Sequence, residues 1–241
     1  MTGTQETQEY SLETLSEAVR YNRFIYTRMR PFLSRDILEL GAGIGNLTPL
    51  FLEDSRKVTA IDVDDALVRI HRERVPADPR LQVECVSMQD LAARPGMEGR
   101  FSAVVSSNVL EHIPDGEVEA VASAMWTVLK PGGFAVHWVP ALPGLFGSLD
   151  QAFRHFRRYD KPAAYRLFQN AGFARIACSY WNMTGIAGWW LYGKVLKRTS
   201  IPRSSALTFD KFLMPVIEVL EPRVWRPFGQ SLLIVARKGD S

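Results

Sequence analysis

Short apolar runs alternate along most of this chain with longer stretches of three-to-four-residue period. The runs 35–40, 57–61, 81–86, 101–107, 134–139, 173–180 and 231–237 are rich in Val, Ile, Leu and Phe. Near-continuous apolar runs of that length mark strands buried on both faces. Between them the helical period predicts helices over 12–33, 44–53, 64–74, 116–129 and 161–171. The first carries Leu12, Leu15, Val19, Ile25 and Met29 and ends near Pro31; the fourth closes at Lys130-Pro131-Gly132-Gly133; the fifth has Gly172 as its C-cap. Strands alternating with helices give βαβ units, and so an α/β fold with a doubly wound, mostly parallel, seven-stranded sheet. Residues 182–229 break the alternation between the last two strands. Long structureless connections are uncommon, and 186–197 and 209–219 have helical patterns. The expected organisation is therefore a core of 1–181 and 230–241, including an N-terminal helix, with a helical cap at 182–229 inserted before the last strand.

Composition changes this picture little. A chain of 241 residues, 46% hydrophobic and 23% charged, suits one elaborated α/β domain. Cys85 and Cys178 both fall in apolar runs, so buried thiols in a cytoplasmic protein are expected rather than a disulfide. Residues 1–10 are polar and acidic, unlike a signal sequence. The uncharged stretch 132–149 is broken by His137, Pro140 and Pro143, which favours a strand and loop over a membrane span. Charge is more informative. Residues 1–150 carry 14 Lys and Arg against 21 Asp and Glu, whereas residues 151–241 carry 15 against 5. The basic second part suits an anionic partner, or is simply a solvated basic surface.

The densest chemistry lies in Ile37-Leu38-Glu39-Leu40-Gly41-Ala42-Gly43-Ile44-Gly45-Asn46. Glycines let a backbone turn sharply and approach a ligand, and a helix starting after them directs its N-terminus at that ligand. The dinucleotide spacing G-x-G-x-x-G is not met, because Gly45 comes one residue early and Asn46 holds the expected place. Open α/β sheets bind ligands outside the carboxyl ends of their strands, and polar residues gather at these ends. Asp62 follows strand two, where a carboxylate accepts both ribose hydroxyls or caps the next helix. Met88-Gln89-Asp90 follows strand three, where Asp90 also reads as a surface turn residue. Ser106-Ser107-Asn108-Val109-Leu110-Glu111-His112 follows strand four.

Glu39-x-Gly41-x-Gly43-x-Gly45 resembles motif I of the class I S-adenosylmethionine-dependent methyltransferases, of the bacterial small-molecule type. The later strand ends and the turn Leu129-Lys130-Pro131-Gly132-Gly133 are similar to theirs as well, so the resemblance spans about residues 15–180. It implies the Rossmann-like methyltransferase fold and S-adenosylmethionine as cofactor. In that likeness Gly41, Gly43 and Gly45 admit the methionine end of the cofactor, Glu39 faces its ammonium, Asp62 holds the ribose and Asp90 the adenine. Ala42, Val63, Met88, Gln89, Asn108 and Val109 complete the cofactor set. The triplet Tyr21-Asn22-Arg23 also recurs in related bacterial enzymes, which makes Tyr21 a candidate for the substrate; surface helix residues are an equal reading.

Methyl transfer from a sulfonium needs alignment, and a base where the nucleophile is a hydroxyl. Loops after strand five face the acceptor in this fold, and 147–159 gathers titratable groups. His155 is the first candidate base, His112 the competitor, and Tyr159 a third catalytic candidate. Arg154, Arg157 and Arg158 suit a carboxylate or phosphate, a pattern similar to the Arg/His-rich loop of related bacterial enzymes. His71 and His137 read as structural. The Asn/Asp-Pro-Pro-Tyr/Phe motif of enzymes acting on exocyclic amines is absent after strand four, and Val139-Pro140-Ala141 offers no carboxylates for a metal of the catechol-methylating kind, so no metal is expected. Trp181 and Trp189 join the substrate set, and the cap aromatics beside Lys194, Lys197 and Arg198 suit a lipid-like acceptor, a membrane surface or a homodimer contact. The expectation is a methyltransferase of a small or lipid-like, anionic acceptor, methylated at oxygen. The alternatives are an N- or C-methyltransferase of a natural-product intermediate, an RNA methyltransferase, and a non-catalytic cofactor-binding protein; no known RNA-binding module accompanies the basic half.

Overall fold

A computed structural model of the protein describes residues 13, 14, 16–54 and 56–240. Seven strands form one sheet: β1 (Asp36–Leu40), β2 (Lys57–Asp62), β3 (Leu81–Cys85), β4 (Phe101–Ser107), β5 (Leu129–Pro140), β6 (Arg175–Trp181) and β7 (Ser231–Arg237). Their order is β3-β2-β1-β4-β5-β7-β6. β1 to β5 pair in parallel, and β7 enters antiparallel between β5 and β6. The order reverses beside β1 and β4, so their carboxyl ends open a crevice where ligands of such sheets sit.

The helices are α1 (Val19–Met29), α2 (Thr48–Glu53), α3 (Asp65–Arg74), α4 (Met88–Ala92), α5 (Val118–Val128), α6 (Ser148–Ala152), α7 (Lys161–Asn170), α8 (Gly185–Trp190), α9 (Arg203–Thr208) and α10 (Met214–Leu220). The first expected helix is divided: helical residues before Ala18 are separated from α1, and a 3-10 turn over Arg30–Phe32 takes up Pro31. Leu12 and Leu15 lie outside the described residues. Ile25 and Met29 are buried as the period required, but Val19 is 63% exposed. The expected helix 44–53 starts only at Thr48, because the glycine loop uses the residues before it. Both helical patterns between β6 and β7 are realised with a local π-helical turn, at Leu191–Val195 and at Phe209–Leu213.

Strand alternation divides the core into two layers. Leu38, Val104, Ala135 and Ile234 face one way, onto Met125 and Val128 of α5 and Phe168 of α7. Ile37, Val105, Val136 and Trp138 face the other, onto Phe24, Ile25 and Met29 of α1, Phe51 of α2, and Met214 and Ile217 of α10. α1 and α10 thus seal the same layer. Phe24 stands edge-on to Trp138 at 5.9 Å and to Trp181 at 5.8 Å. Both cysteines are free, as expected, but Cys85 ends the edge strand β3 and is exposed, which corrects the buried-thiol reading for that residue. No helix among the described residues is long and apolar enough to cross a membrane.

Phe24 ties α1 to the sheet through two tryptophans. Phe24→Ala should therefore cost about 3–5 kcal/mol of stability, read as a lowered denaturation midpoint in urea.

Candidate active site

β1 delivers Glu39 into the crevice, and the chain then turns through Gly41, Gly43 and Gly45, with φ of 65°, 53° and 82°. A Cβ on Gly41 would stand 2.5 Å from Val109, so this turn can pass only without a side chain. Glu39 is buried and accepts a 2.6 Å bond from the Thr48 hydroxyl at the start of α2. Burial pushes its carboxyl up to about 8. Asp62, at the end of β2, accepts from Gly43 N–H at 2.8 Å and from Asp64 N–H at 3.1 Å. Its two oxygens offer about four lone-pair sites in all, more than these backbone donors fill. Burial raises its pKa as well. The glycine loop is thereby bolted to β2 by a carboxylate that can still accept from a ligand.

Glu39, Gly41, Gly43 and Asp62 line a cavity of about 1120 Å³. Val63, Leu67, Met88 and Val109 give it apolar walls near the loop, with Ser87, Gln89 and Asn108 on its rim. It continues past Tyr21, His112 and His155 to Trp189, Tyr192, Phe209 and Leu213 of the segment between β6 and β7. Pockets for one drug-sized ligand span about 300–1,000 Å³, so this space exceeds what one small ligand needs.

The far end is organised by Asp150, fully buried in α6. One carboxylate oxygen meets His155 Nδ1 at 2.9 Å and accepts from Arg158 Nε at 2.7 Å; the other accepts from Trp189 Nε1 at 3.1 Å and Gly147 N–H at 2.9 Å. Burial opposes ionisation of Asp150, yet the His155 bond and the Arg158 charge prevail and hold its pKa below the usual value. With Asp150 ionised, the His155 proton sits on Nδ1 and Nε2 is left as a base. The His155 and His112 rings meet edge-on at 4.8 Å. Burial, and then the neighbouring His155, push His112 down to about 4. Glu111 completes the group: it is fully buried, and neither carboxylate oxygen has a hydrogen-bond partner among the described residues. Burial raises it to about 8. One atom each of Glu111, His112 and His155 lie within 4.8 Å of one another. That grouping has the donor set of a cation site, which the expectation of no metal did not anticipate. Arg158 lines the cavity, donates to Ala141 O at 2.8 Å, and has Nη2 without a partner among the described residues.

Comparisons with known proteins agree with this geometry. Residues 37–133 match the family model described as a methyltransferase domain. Residues 37–133 form a class I methyltransferase domain. Over 115 residues the chain is 36% identical to a ubiquinone biosynthesis O-methyltransferase of Xanthomonas axonopodis pv. citri (strain 306), a match covering 46% of this chain and 44% of that protein. The chain thus spans under half the length of this curated relative. Its fold is shared with a SAM-dependent methyltransferase from Archaeoglobus fulgidus, at a TM-score of 0.60 and 13% identity over 90% of this chain and 94% of the other. The 1,6-didemethyltoxoflavin-N1-methyltransferase of Burkholderia thailandensis, solved with its substrate and S-adenosylhomocysteine, gives a TM-score of 0.55 at 19% identity over 92% and 79% of the two chains.

The cofactor of such a methyltransferase domain is S-adenosylmethionine, and the residues fit it. Gly41 leaves the backbone bare where a Cβ would close the passage, Glu39 and Asp62 offer carboxylates, and apolar walls flank the space for a base. The cavity is lined by Glu39, Gly41, Ala42, Gly43, Asp62, Val63, Met88, Gln89, Asn108 and Val109 of the expected cofactor set, and by Tyr21, His112, His155, Arg158 and Trp189 of the acceptor set.

Six expected site residues fall outside it. Gly45 packs on α3, where a Cβ would stand 2.6 Å from Val75 and 2.9 Å from His71. Asp90 is exposed and engaged with Ser87 in a reciprocal cap of α4, with bonds of 2.6 and 3.0 Å. Tyr159 is buried and donates to Leu110 O at 3.2 Å. Arg157 braces the loop after β4, donating to Ile113 O at 2.6 Å and pairing with Asp115. Arg154 sits in a left-handed turn with φ of 58°, outside the cavity lining. Trp181 is buried with Arg226 stacked on it at 3.8 Å. Asp150 and Glu111 were missed as site residues. The histidine five residues after Asp150 was the available signal for the first; nothing local announced the second. His137 is structural as expected, bonded to Ser106 Oγ at 2.7 Å.

The two buried glutamates set a pH dependence. Their folded pKa values, about 8, lie above the ordinary 4.5, so the folded methyltransferase domain binds protons that the unfolded chain has released. Stability from each is complete below 4.5 and is lost as pH rises through 8. His71, His112 and His137 are depressed to about 4, 4 and 3, and destabilise only below about 6.5. Between pH 6.5 and 8 the ligand-free protein should therefore lose on the order of 1 kcal/mol per pH unit for each glutamate. Thermal melts across that range should show a falling Tm, with a shallower slope in Glu111→Gln.

Proposed function

We propose that the protein transfers a methyl group from S-adenosylmethionine to a hydroxyl oxygen of a small or lipid-like acceptor bearing an anionic or carbonyl oxygen. The observation that carries this is a continuous cavity leading from the glycine loop to a histidine polarised by a buried aspartate. When bound, the cofactor supplies an electrophilic methyl on a sulfonium. Glu39 would face its ammonium, Asp62 would accept from the ribose hydroxyls, and Met88 and Val63 would enclose the adenine. At the acceptor end His155 Nε2 would hold the hydroxyl and receive its proton. Asp150 would fix the imidazole orientation and stabilise the imidazolium. Arg158, its Nη2 otherwise unmatched, would donate to the anionic or carbonyl oxygen, because leaving a buried donor unpaired is costly. Glu111, protonated near neutral pH, would add no second negative charge beside Asp150. The apolar Trp189, Phe209 and Leu213 end would take the lipid-like part of the acceptor. The relative named as an O-methyltransferase supports oxygen as the methylated atom.

The test pairs calorimetry with S-adenosylhomocysteine release on a panel of hydroxylated lipophilic acids. Asp62→Ala should weaken cofactor binding by about 1–3 kcal/mol; unchanged affinity rejects the ribose role. His155→Ala should lower turnover on the order of 100-fold or more with cofactor affinity held within twofold. Full turnover in that variant, or methylation at nitrogen alone, overturns the hydroxyl-base reading. EDTA should leave turnover unchanged; a loss restored by Mg²⁺ would move the proton-handling role to a cation at Glu111, His112 and His155.

A further inference from the structure

α10 and the π-helical turn before it carry apolar residues on two opposite sides. Asp210, Met214, Ile217 and Glu221, spaced four, three and four apart, are buried against the sheet layer of α1. Phe212, Val216, Val219 and Leu220 form the other stripe and are each at least 54% exposed. The buried stripe faces protein, while the opposite apolar stripe is left exposed to solvent. The chain beyond continues the pattern: Trp225 is 84% exposed and Phe228 46%. Trp190, Val195 and Leu196, at the other helical element of the insertion, are exposed by about half. Exposed apolar area of this density marks an interaction surface.

We propose that the 190–228 segment seats the protein on an anionic lipid bilayer. Charge selects that occupant. Residues 182–229 contain seven Lys and Arg and three acids. Two of the acids are turned inward: Asp210 accepts from Tyr21 N–H at 2.7 Å, and Glu221 from Met183 N–H at 2.6 Å. The third, Glu218, faces Arg20. Lys194, Lys197, Arg198, Lys211 and Arg223 are exposed in the same stretch of chain, with Lys211 over the Phe212 ring at 5.3 Å. Exposed aromatic and aliphatic groups together with cations are what binding at an anionic lipid interface requires. A second copy fits less well, because a two-fold contact sets each patch against itself and would oppose these cations. The chain's own first residues fit less well again, since 1–12 hold just Met1, Tyr10 and Leu12 as large apolar groups. Leu213 belongs to the exposed surface and also lines the cavity, so the seat adjoins the mouth through which a lipid-like acceptor would enter. Docking stands on the surface itself; only the delivery of an acceptor rests on the methyl-transfer reading.

Co-flotation with vesicles of phosphatidylcholine and phosphatidylglycerol in equal parts, against phosphatidylcholine alone, tests it in the full chain. Most of the protein should float with the anionic vesicles and at least fivefold less with neutral ones or in 0.5 M NaCl, by the screening expected of surface charges. The triple variant Val216→Ser, Val219→Ser, Trp225→Ser should lose flotation while keeping its Tm and its S-adenosylhomocysteine affinity, which are independent of these exposed groups. Lys211→Glu with Arg223→Glu should lose it too. Absence of flotation with anionic vesicles overturns the proposal, as does flotation equal in wild type and the serine variant. A concentration-dependent dimer abolished by the serine variant, without vesicle binding, assigns the patch to a second copy.

Discussion

A single buried carboxylate organises the acceptor end of this protein. Asp150 accepts from a histidine ring, a guanidinium, an indole and a backbone amide, and these four donors come from two separate parts of the chain. Gly147, His155 and Arg158 belong to the connection after β5, while Trp189 belongs to the segment inserted before β7. A carboxylate buried without such donors would be costly enough to neutralise itself. With them it stays charged, fixes the His155 tautomer and binds the inserted segment to the loop. Arg158 stacking on Trp189 at 4.6 Å reinforces the same junction. Removing any one donor weakens both the hold on the carboxylate and the junction between the two segments.

The cofactor end works by the opposite economy. Glu39 and Asp62 have few donors, and burial raises both, so the ligand-free loop is electrostatically unfinished. A bound ammonium and a pair of hydroxyls are the groups that such carboxylates lack. Rigid backbone supplies the rest: Asp62 holds Gly43 N–H, so loop and strand move as one body. A preformed cleft costs little ordering on binding.

What could be read from the sequence was whatever depends on neighbours along the chain. Seven apolar runs became seven strands, and the residues at their carboxyl ends became the cavity wall, because a parallel sheet brings consecutive strand ends to one edge. Three candidates lie outside the cavity for one reason. Arg157, Tyr159 and Trp181 have the appearance of binding residues, but distant backbone carbonyls and guanidinium groups claim them. Asp90 had a visible local alternative, since Ser87-x-x-Asp90 is a capping box, and that local chemistry prevailed. Glu111 could not be read at all. Its burial follows from the short 3-10 turn at Leu110–His112, which directs the carboxylate inward. Sequence spacing carries no information about such a turn. His155 was legible as a titratable group, but its pairing with Asp150 of α6 was not.

β6 and β7 are antiparallel neighbours, and Trp181 pairs directly with Ser231. Topologically they are a hairpin, and residues 182–229 are its loop. The neck is clamped where Gln230 N–H donates to Asn182 O at 3.1 Å and the two side-chain amides bond at 2.8 Å. Lengthening a closed loop adds cost only logarithmically, so the sheet scarcely registers how much chain is stored above that neck. An insertion held this way is a cassette. Selection can rewrite its length and surface while the strands, the glycine loop and the carboxylates beneath keep their register. A lineage built on this plan would change what it recognises far faster than what it does.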